Sequence, residues 1–140
     1  MITPLPSAFR ALLLQSSDVT DLIDQRIFTD QMPQTADAPA VAFFVVAELA
    51  NDTLGGPLGF DSASMQVESI GRTRIEAEQV WQVVRKQLAG YRGVVDGVKM
   101  VISQGSGRYF LTDRPETGSD IWRYKSVQDF SVYYQSLEIV

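Results

Sequence analysis

Three acids offer the densest group of potential ligands in the chain: Asp113, Glu116 and Asp120, within a stretch of turn-forming residues. Oxygen ligands in one loop could hold a divalent cation. Their spacing is not that of a calcium loop, and Arg114 sits among them, so solvated loop charge is the preferred reading. Two glycine-rich stretches follow in interest, GGPLG at 55–59 and QGSGR at 104–108. A phosphate-cradling loop ends in Gly-Lys-Ser/Thr and opens a helix, whereas 55–59 leads into a strand-like segment. A dinucleotide turn also needs a helix behind it, and none is expected after 104–108. The chain contains no histidine and no cysteine. It therefore lacks the usual general base near neutral pH and any Ser-His-Asp or Cys-His arrangement. Thiolate zinc sites and disulfides are excluded on the same grounds. The expectation is a non-enzyme without catalytic residues, metal site or cofactor. Carboxylate-only chemistry through Asp113, Glu116 or Asp120 is the exception that composition leaves open.

Charge narrows the partners. The net charge is −5, and residues 1–50 hold six acids against two bases, while 51–140 hold eleven against ten. No basic footprint for nucleic acid is present, and an acidic surface repels a phosphate backbone. No apolar run reaches the roughly 20 residues that cross a bilayer. The start, MITPLPSAFRALLLQ, lacks the basic onset and cleavage site of a signal peptide. It is read as a mature cytoplasmic N-terminus, and the 140 residues as a single domain.

The elements that must position these residues centre on Gly71–Gly90. Ala77, Val80, Trp81, Val84 and Leu88 recur three or four apart and share one helical face. Thr73 and Glu76 fit a capping box, and Gly90 a left-handed stop. Trp81 is expected in the core. A first helix is predicted over 6–16, with Ser7 as a possible cap. A short second one follows Asp18, its expected cap, with Val19, Leu22 and Ile23 buried. Residues 26–28 read as a short strand, 30–39 as a loop, and 40–49 (AVAFFVVAEL) as a strand apolar on both alternating sets. In that alternation Phe43, Val45 and Ala47 oppose Phe44, Val46 and Glu48. Regular pairing is not expected at Gly55-Gly56-Pro57. Residues 60–70 alternate, with Ala63, Met65 and Val67 on the dry side. Residues 91–97 read as a loop, 97–103 as a strand, 104–120 as a flexible connection, and 121–137 as a long closing strand. The sum is α+β, a mostly antiparallel sheet with two main helices packed on one face.

Two helices leave apolar strand surface to spare. The surplus in 40–49, with Trp122, Tyr124, Tyr133 and Tyr134 in the last strand, suggests a subunit interface, whose desolvated centre favours aromatics. The strongest candidates are Phe44, Val46, Trp122, Tyr124 and Tyr133.

With the elements placed, the chain resembles the tail-completion (tail-terminator) proteins of long-tailed bacteriophages. The likeness runs to about residue 136. It rests on the order of the LeuLeuLeu helix, AspValThrAspLeuIle, Arg26-Ile-Phe, Pro39 before a long strand, and the Gly56-Pro57 turn. MetGlnValGlu at 65–68, GluAlaGluGlnVal at 76–80, Leu88-Ala-Gly90, and residues 120–134 with Asp129-Phe130 complete it. Ala40 departs from the pattern, where an aromatic is expected after the proline.

The resemblance implies a subunit of a ring, usually of six copies, that caps the tail tube, stops its growth and joins the head. Its partners would be itself, the tail tube protein and a head completion or connector protein, with no sequence-specific nucleic acid binding and no membrane. Its place would be the virion tail, and the host cytoplasm during assembly. The loops 50–59 and 104–120, with Leu54, Leu58, Arg108, Tyr109 and Arg114, would dock on tube or connector. Deletion of 105–118 would then spare the fold. The alternatives are a head–tail connector or tail-tube component, and a small-molecule-binding domain with its ligand under the central helix.

Overall fold

The computed structural model describes residues 3–30, 32–33, 36–53, 56–113 and 122–137, and within 50–59 the backbone alone. Helices α1 (Leu5–Leu14) and α2 (Ser17–Ile23) lead into strands β1 (Ile27–Thr29), β2 (Ala40–Thr53) and β3 (Gly56–Gly71). Helix α3 (Arg74–Leu88) follows, then β4 (Arg92–Val95), β5 (Val98–Asp113) and β6 (Arg123–Ser136). The six strands form one sheet in the order β1-β2-β3-β6-β5-β4. Only β1 and β2 pair in parallel; the other neighbours are antiparallel. The α+β class and the mostly antiparallel sheet therefore hold, and the two main helices and the short one between them are all found among the described residues.

The helix ends correct several expectations. α1 is led by Pro4, which offers no side-chain cap, and Ser7 lies inside the helix. α2 is capped by Ser16, whose Oγ accepts from the Val19 N–H at 3.3 Å; Asp18 sits in the first turn instead, where it suits the helix dipole. At α3, Thr73 Oγ1 accepts from the Glu76 N–H at 3.1 Å, one half of a capping box. The other half is displaced: the Glu76 carboxylate accepts from the Arg72 N–H at 2.8 Å. The turn between β3 and α3 is tight. A Cβ on Gly71 would lie 2.4 Å from the Ala77 nitrogen, so only glycine lets strand and helix meet there. Gly90, at φ 76°, closes the helix as expected.

One apolar cluster draws on all three helices and the sheet. Phe9, Leu12 and Leu13 of α1, Val19 and Ile23 of α2, and Val80, Val84 and Leu88 of α3 meet Val41, Phe43, Met65, Val67, Met100, Ile102, Phe130 and Val132. Phe9 and Phe43 lie with ring centroids 4.9 Å apart. The alternations read from 60–70, 97–103 and 129–135 place these same residues inward.

The doubly apolar β2 has a local explanation. Val41 and Phe43 join the main cluster, while Ala40 and Ala42 join a second one with Met32 and Ile70, against which Phe28, Ala36 and Ala38 pack. Phe28, Met32, Ala36 and Ala38 thus cover the start of the strand. A bulge between Val45 and Ala47 then reverses the alternation, placing Glu48 opposite Ala63 and Leu49 opposite Ser62. Glu48 accordingly shares the side of Phe43 and Val45, against expectation.

Three stretches read as loops are strands. Residues 92–95 pair with 98–101 as a hairpin around Asp96 and Gly97, both at positive φ. Asp52 pairs with Pro57 and Thr53 with Gly56. β5 runs on through Arg108–Asp113, which pairs with Arg123–Gln128. The intervening 104–108 is a bulge within that strand.

Candidate assembly surfaces

The extension of β5 beyond its bulge is fastened at the root by a glutamine. Gln128 is buried, and its Nε2 donates to the carbonyls of Gly105, Gly107 and Asp129, each at 3.0 Å. Its Oε1 accepts from Gln104 Nε2 at 3.1 Å, and Gln104 Oε1 accepts from Arg85 Nε at 2.8 Å. The bulge carbonyls, turned out of the ladder, are satisfied by this one amide. At Gly105 a Cβ would stand 2.8 Å from the Asp129 carbonyl oxygen, so the backbone approach requires glycine.

Farther out, arginines and aromatics alternate along the flank of α3. The Arg85 guanidinium carbon lies 5.4 Å from the Trp81 ring centre, and that of Arg108 only 3.7 Å. Arg108 also covers Phe110 at 4.8 Å, and Arg74 covers Phe110 at 5.0 Å and Tyr124 at 5.4 Å. Each contact is of the cation–π type. Arg108 Nη1 donates to both Glu78 oxygens, at 3.0 and 2.9 Å, and to Ser126 Oγ at 3.0 Å. Trp81 is half-buried beneath Arg108, and its Nε1 has no partner. It flanks the core rather than filling it.

On the other side of the sheet, Lys125 Nζ sits 2.9 Å from Asp113 and 3.5 Å from Glu68. Arg123 Nη2 donates to the carbonyls of Pro33 and Ala36, at 3.2 and 3.0 Å, tying the 28–38 segment to β6. Glu68, Asp113, Arg123 and Lys125, with Asp30, Met32 and Phe44, line an open hollow of about 610 Å³. Three titrating groups among the described residues stand apart from their ordinary values, and the first is Arg72, raised by its hydrogen bond to Glu76. The hydrogen bond from Arg72 holds the Glu76 carboxyl low. Burial, then the nearby Glu48 and Asp61, pushes the Tyr134 hydroxyl up.

Of the candidate interface residues, Val46, Trp122 and Tyr133 are exposed, while Phe44 and Tyr124 are half-buried. Tyr133 packs edge-on with Phe60 at 6.1 Å. Its row across the sheet runs Leu49, Ser62, Tyr133, Val101. Val46 lies in the β2 bulge and Phe44 beside Gln66. Tyr124 is on the opposite side, under Arg74, and so does not join Tyr133. Of the expected docking residues, Tyr109 is exposed, but Arg108 is spent on Glu78 and Trp81 and belongs to a strand. Leu54, Arg114, Glu116 and Asp120 lie outside the described residues, as does the side chain of Leu58.

Sequence reasoning missed Gln128, Glu78 and Arg74. The last two had a signal. Arg74, Glu78, Trp81 and Arg85 follow one another at helical spacing along one flank of α3. Leu49, Phe60 and Leu111, all exposed, also went unnoticed; the bulge before Leu49 has no marker in the sequence, and the one before Leu111 shows only its glycines.

The profile of the family described as "Tail completion protein gp17" matches residues 7–135. Comparison with curated protein sequences gave no match. A chain from the "Virion of native gene transfer agent (GTA) particle" superposes with a TM-score of 0.64 at 14% identity, over 94% of this chain and 95% of that one. At such low identity the superposition speaks for the fold. The profile spans from the first turn of α1 to the end of β6, every element that builds the sheet, the bulge and the arginine–aromatic flank. On that continuous match, the chain belongs to the tail completion protein gp17 family.

Proposed function

We propose that this protein is a structural subunit of a phage or prophage tail. As a single domain it assembles with copies of itself into a ring on the end of the tail tube. The ring stops tube growth and presents the surface that joins the head. α1 and α3 lie over one face of the sheet, which leaves the side bearing Leu49, Phe60 and Tyr133 for protein partners. The partners are further copies of the chain, the tail tube protein and a head completion or connector protein. DNA passes through without being read, in keeping with the acidic balance of the chain. The protein works in the virion tail, after assembly in the host cytoplasm.

The observation that carries this reading is the family match over residues 7–135. Exposed apolar side chains support it, Leu49, Phe60 and Tyr133 toward one end of this face and Tyr109 and Leu111 toward the other, since exposed apolar patches mark contact with other proteins. Light scattering gives the solution mass, and negative-stain images with isolated tail tubes show where the protein sits. An oligomer found at tube ends is the expected result. A strict monomer at high concentration that ignores tubes overturns the reading.

A further inference from the structure

Among the described residues, both long outer strands of the sheet are paired along only part of their outer edge. β1 covers β2 at Val41–Phe43, and Asp30 adds one bond to the Phe43 carbonyl; beyond that, no strand flanks β2. β4 covers β5 at Val98–Val101, and Tyr91 and Gly90 bond Ile102; beyond that, no strand flanks β5. The two open stretches, 44–53 and 103–113, are of nearly equal length and lie at opposite sides and opposite ends of the sheet. An open edge with apolar side chains is a template for pairing with another chain, and monomeric proteins blunt it with charges, proline, bulges or a cover. Each stretch here carries a bulge, at Val45–Ala47 and at Gln104–Arg108, but neither a lysine nor a proline. Instead the first presents Val46 and Leu49, and the second Tyr109, Phe110 and Leu111, all exposed.

We infer that the open edge of β5 pairs with the open edge of β2 in a second copy, so that the sheet runs on from subunit to subunit. The inference rests on the ring reading above and names the contact that builds it. Direction favours it: β2 and β5 are separated by three antiparallel steps. They run oppositely, so a head-to-tail repeat sets them antiparallel. A two-fold dimer through either edge would leave the other edge open on both copies, whereas head-to-tail repetition closes both on every copy. Side chains on the same face match when Leu49 of one copy stands opposite Tyr109 of the next, with Ala47 opposite Leu111.

The stagger fits closure. Within a chain Tyr109 shares a row with Val127, Glu68 and Ala42. Leu49 lies seven residues beyond Ala42, one of them absorbed at the Val45–Ala47 bulge. A shift of about six residues is about 20 Å along the strands, against about 19 Å across four strands, a tilt of about 45°. Closed barrels tilt their strands by about 35–45°. The same stagger places β1 and β4 just outside the ends of the paired stretch, where they do not obstruct it.

The chain has no cysteine, so introduced thiols report without background. Leu49→Cys and Tyr109→Cys proteins are prepared separately, mixed, and oxidised with oxidised glutathione. The expected result is a disulfide-linked dimer in the mixture and none in either protein alone, and a ladder of linked species from the double variant. A second pair, Val46→Lys with Leu111→Lys, should move the light-scattering mass from oligomer to monomer while circular dichroism stays unchanged. An oligomer without the mixed disulfide, or one that survives both lysines, overturns the edge contact and leaves the ring reading standing. Linkage within Leu49→Cys alone overturns head-to-tail pairing in favour of a two-fold. A chain that is monomeric at all concentrations removes both readings.

Discussion

The guanidinium of Arg108 lies 3.7 Å from the centre of the Trp81 ring, while its Nη1 holds both oxygens of Glu78. A residue of the β5 extension is thereby clamped to the middle of α3. Removing a half-exposed indole leaves no sealed cavity. Trp81→Ala is therefore expected to cost about 1–3 kcal/mol, below the roughly 3–5 kcal/mol of a core aromatic. Phe9→Ala, which empties a fully buried site against Phe43, should reach that higher range. Urea unfolding of both variants gives the comparison, and equal losses would contradict the placement of Trp81.

The same clamp predicts coupling. Arg108→Ala and Glu78→Gln each break a pair whose side chains are about a quarter exposed. A double-mutant cycle should return an interaction of about 0.5–1.5 kcal/mol, more than exposed surface pairs give. Arg108→Lys keeps the charge but loses the planar stack, and should recover only part of it.

Gln128 is the most demanding polar residue in the fold. Gln128→Leu has similar size, yet it strands the carbonyls of Gly105 and Gly107 and the amide of Gln104. The expected loss is about 2–3 kcal/mol. Hydrogen exchange should show the loss as faster exchange over 103–113, with α1 unaffected.

Gly71→Ala forces a methyl against the backbone of Ala77, Glu76 and Thr73. The turn from β3 into α3 must open, at about 2–4 kcal/mol, comparable to a severe overpacking. Gly107→Ala, where a Cβ meets nothing within 4 Å, should stay within about 1 kcal/mol of the parent.

Acid should act through Glu76. Its carboxyl is held below the ordinary value of 4.5 in the folded chain by the Arg72 hydrogen bond. The contribution is thus complete above about pH 4.5 and fades as pH falls through the lower, folded value. Glu76→Gln lacks this term. The stability gap between parent and variant should be widest near neutrality and close in acid, as chemical denaturation across pH 2–7 would show.

Much of the fold was legible because its signals are periodic. The apolar spacing of α3 and the alternations around Met65, Met100 and Phe130 each mark a buried side, and the structure buries these residues except Trp81, which flanks the core. What escaped was local irregularity. A one-residue bulge at Val45–Ala47 reversed Glu48 and Leu49, and alternation cannot reveal where it is interrupted. The glycines of 104–108 read as flexible because nothing in their own stretch shows that Gln128, distant in sequence, satisfies their carbonyls. For the same reason Arg108 looked like a free docking residue, whereas Glu78 and Trp81 already occupy it. Deletion of 105–118 would therefore cut into the sheet rather than trim a loop.

Gln128 at the root and the Arg108 and Arg74 stacks along the flank hold 108–113 in shape before any encounter. A surface that is already rigid surrenders little freedom when it is gripped. The contacts proposed for Tyr109 and Leu111 would thus begin preorganised, and docking there would resemble seating a finished part rather than moulding a soft one.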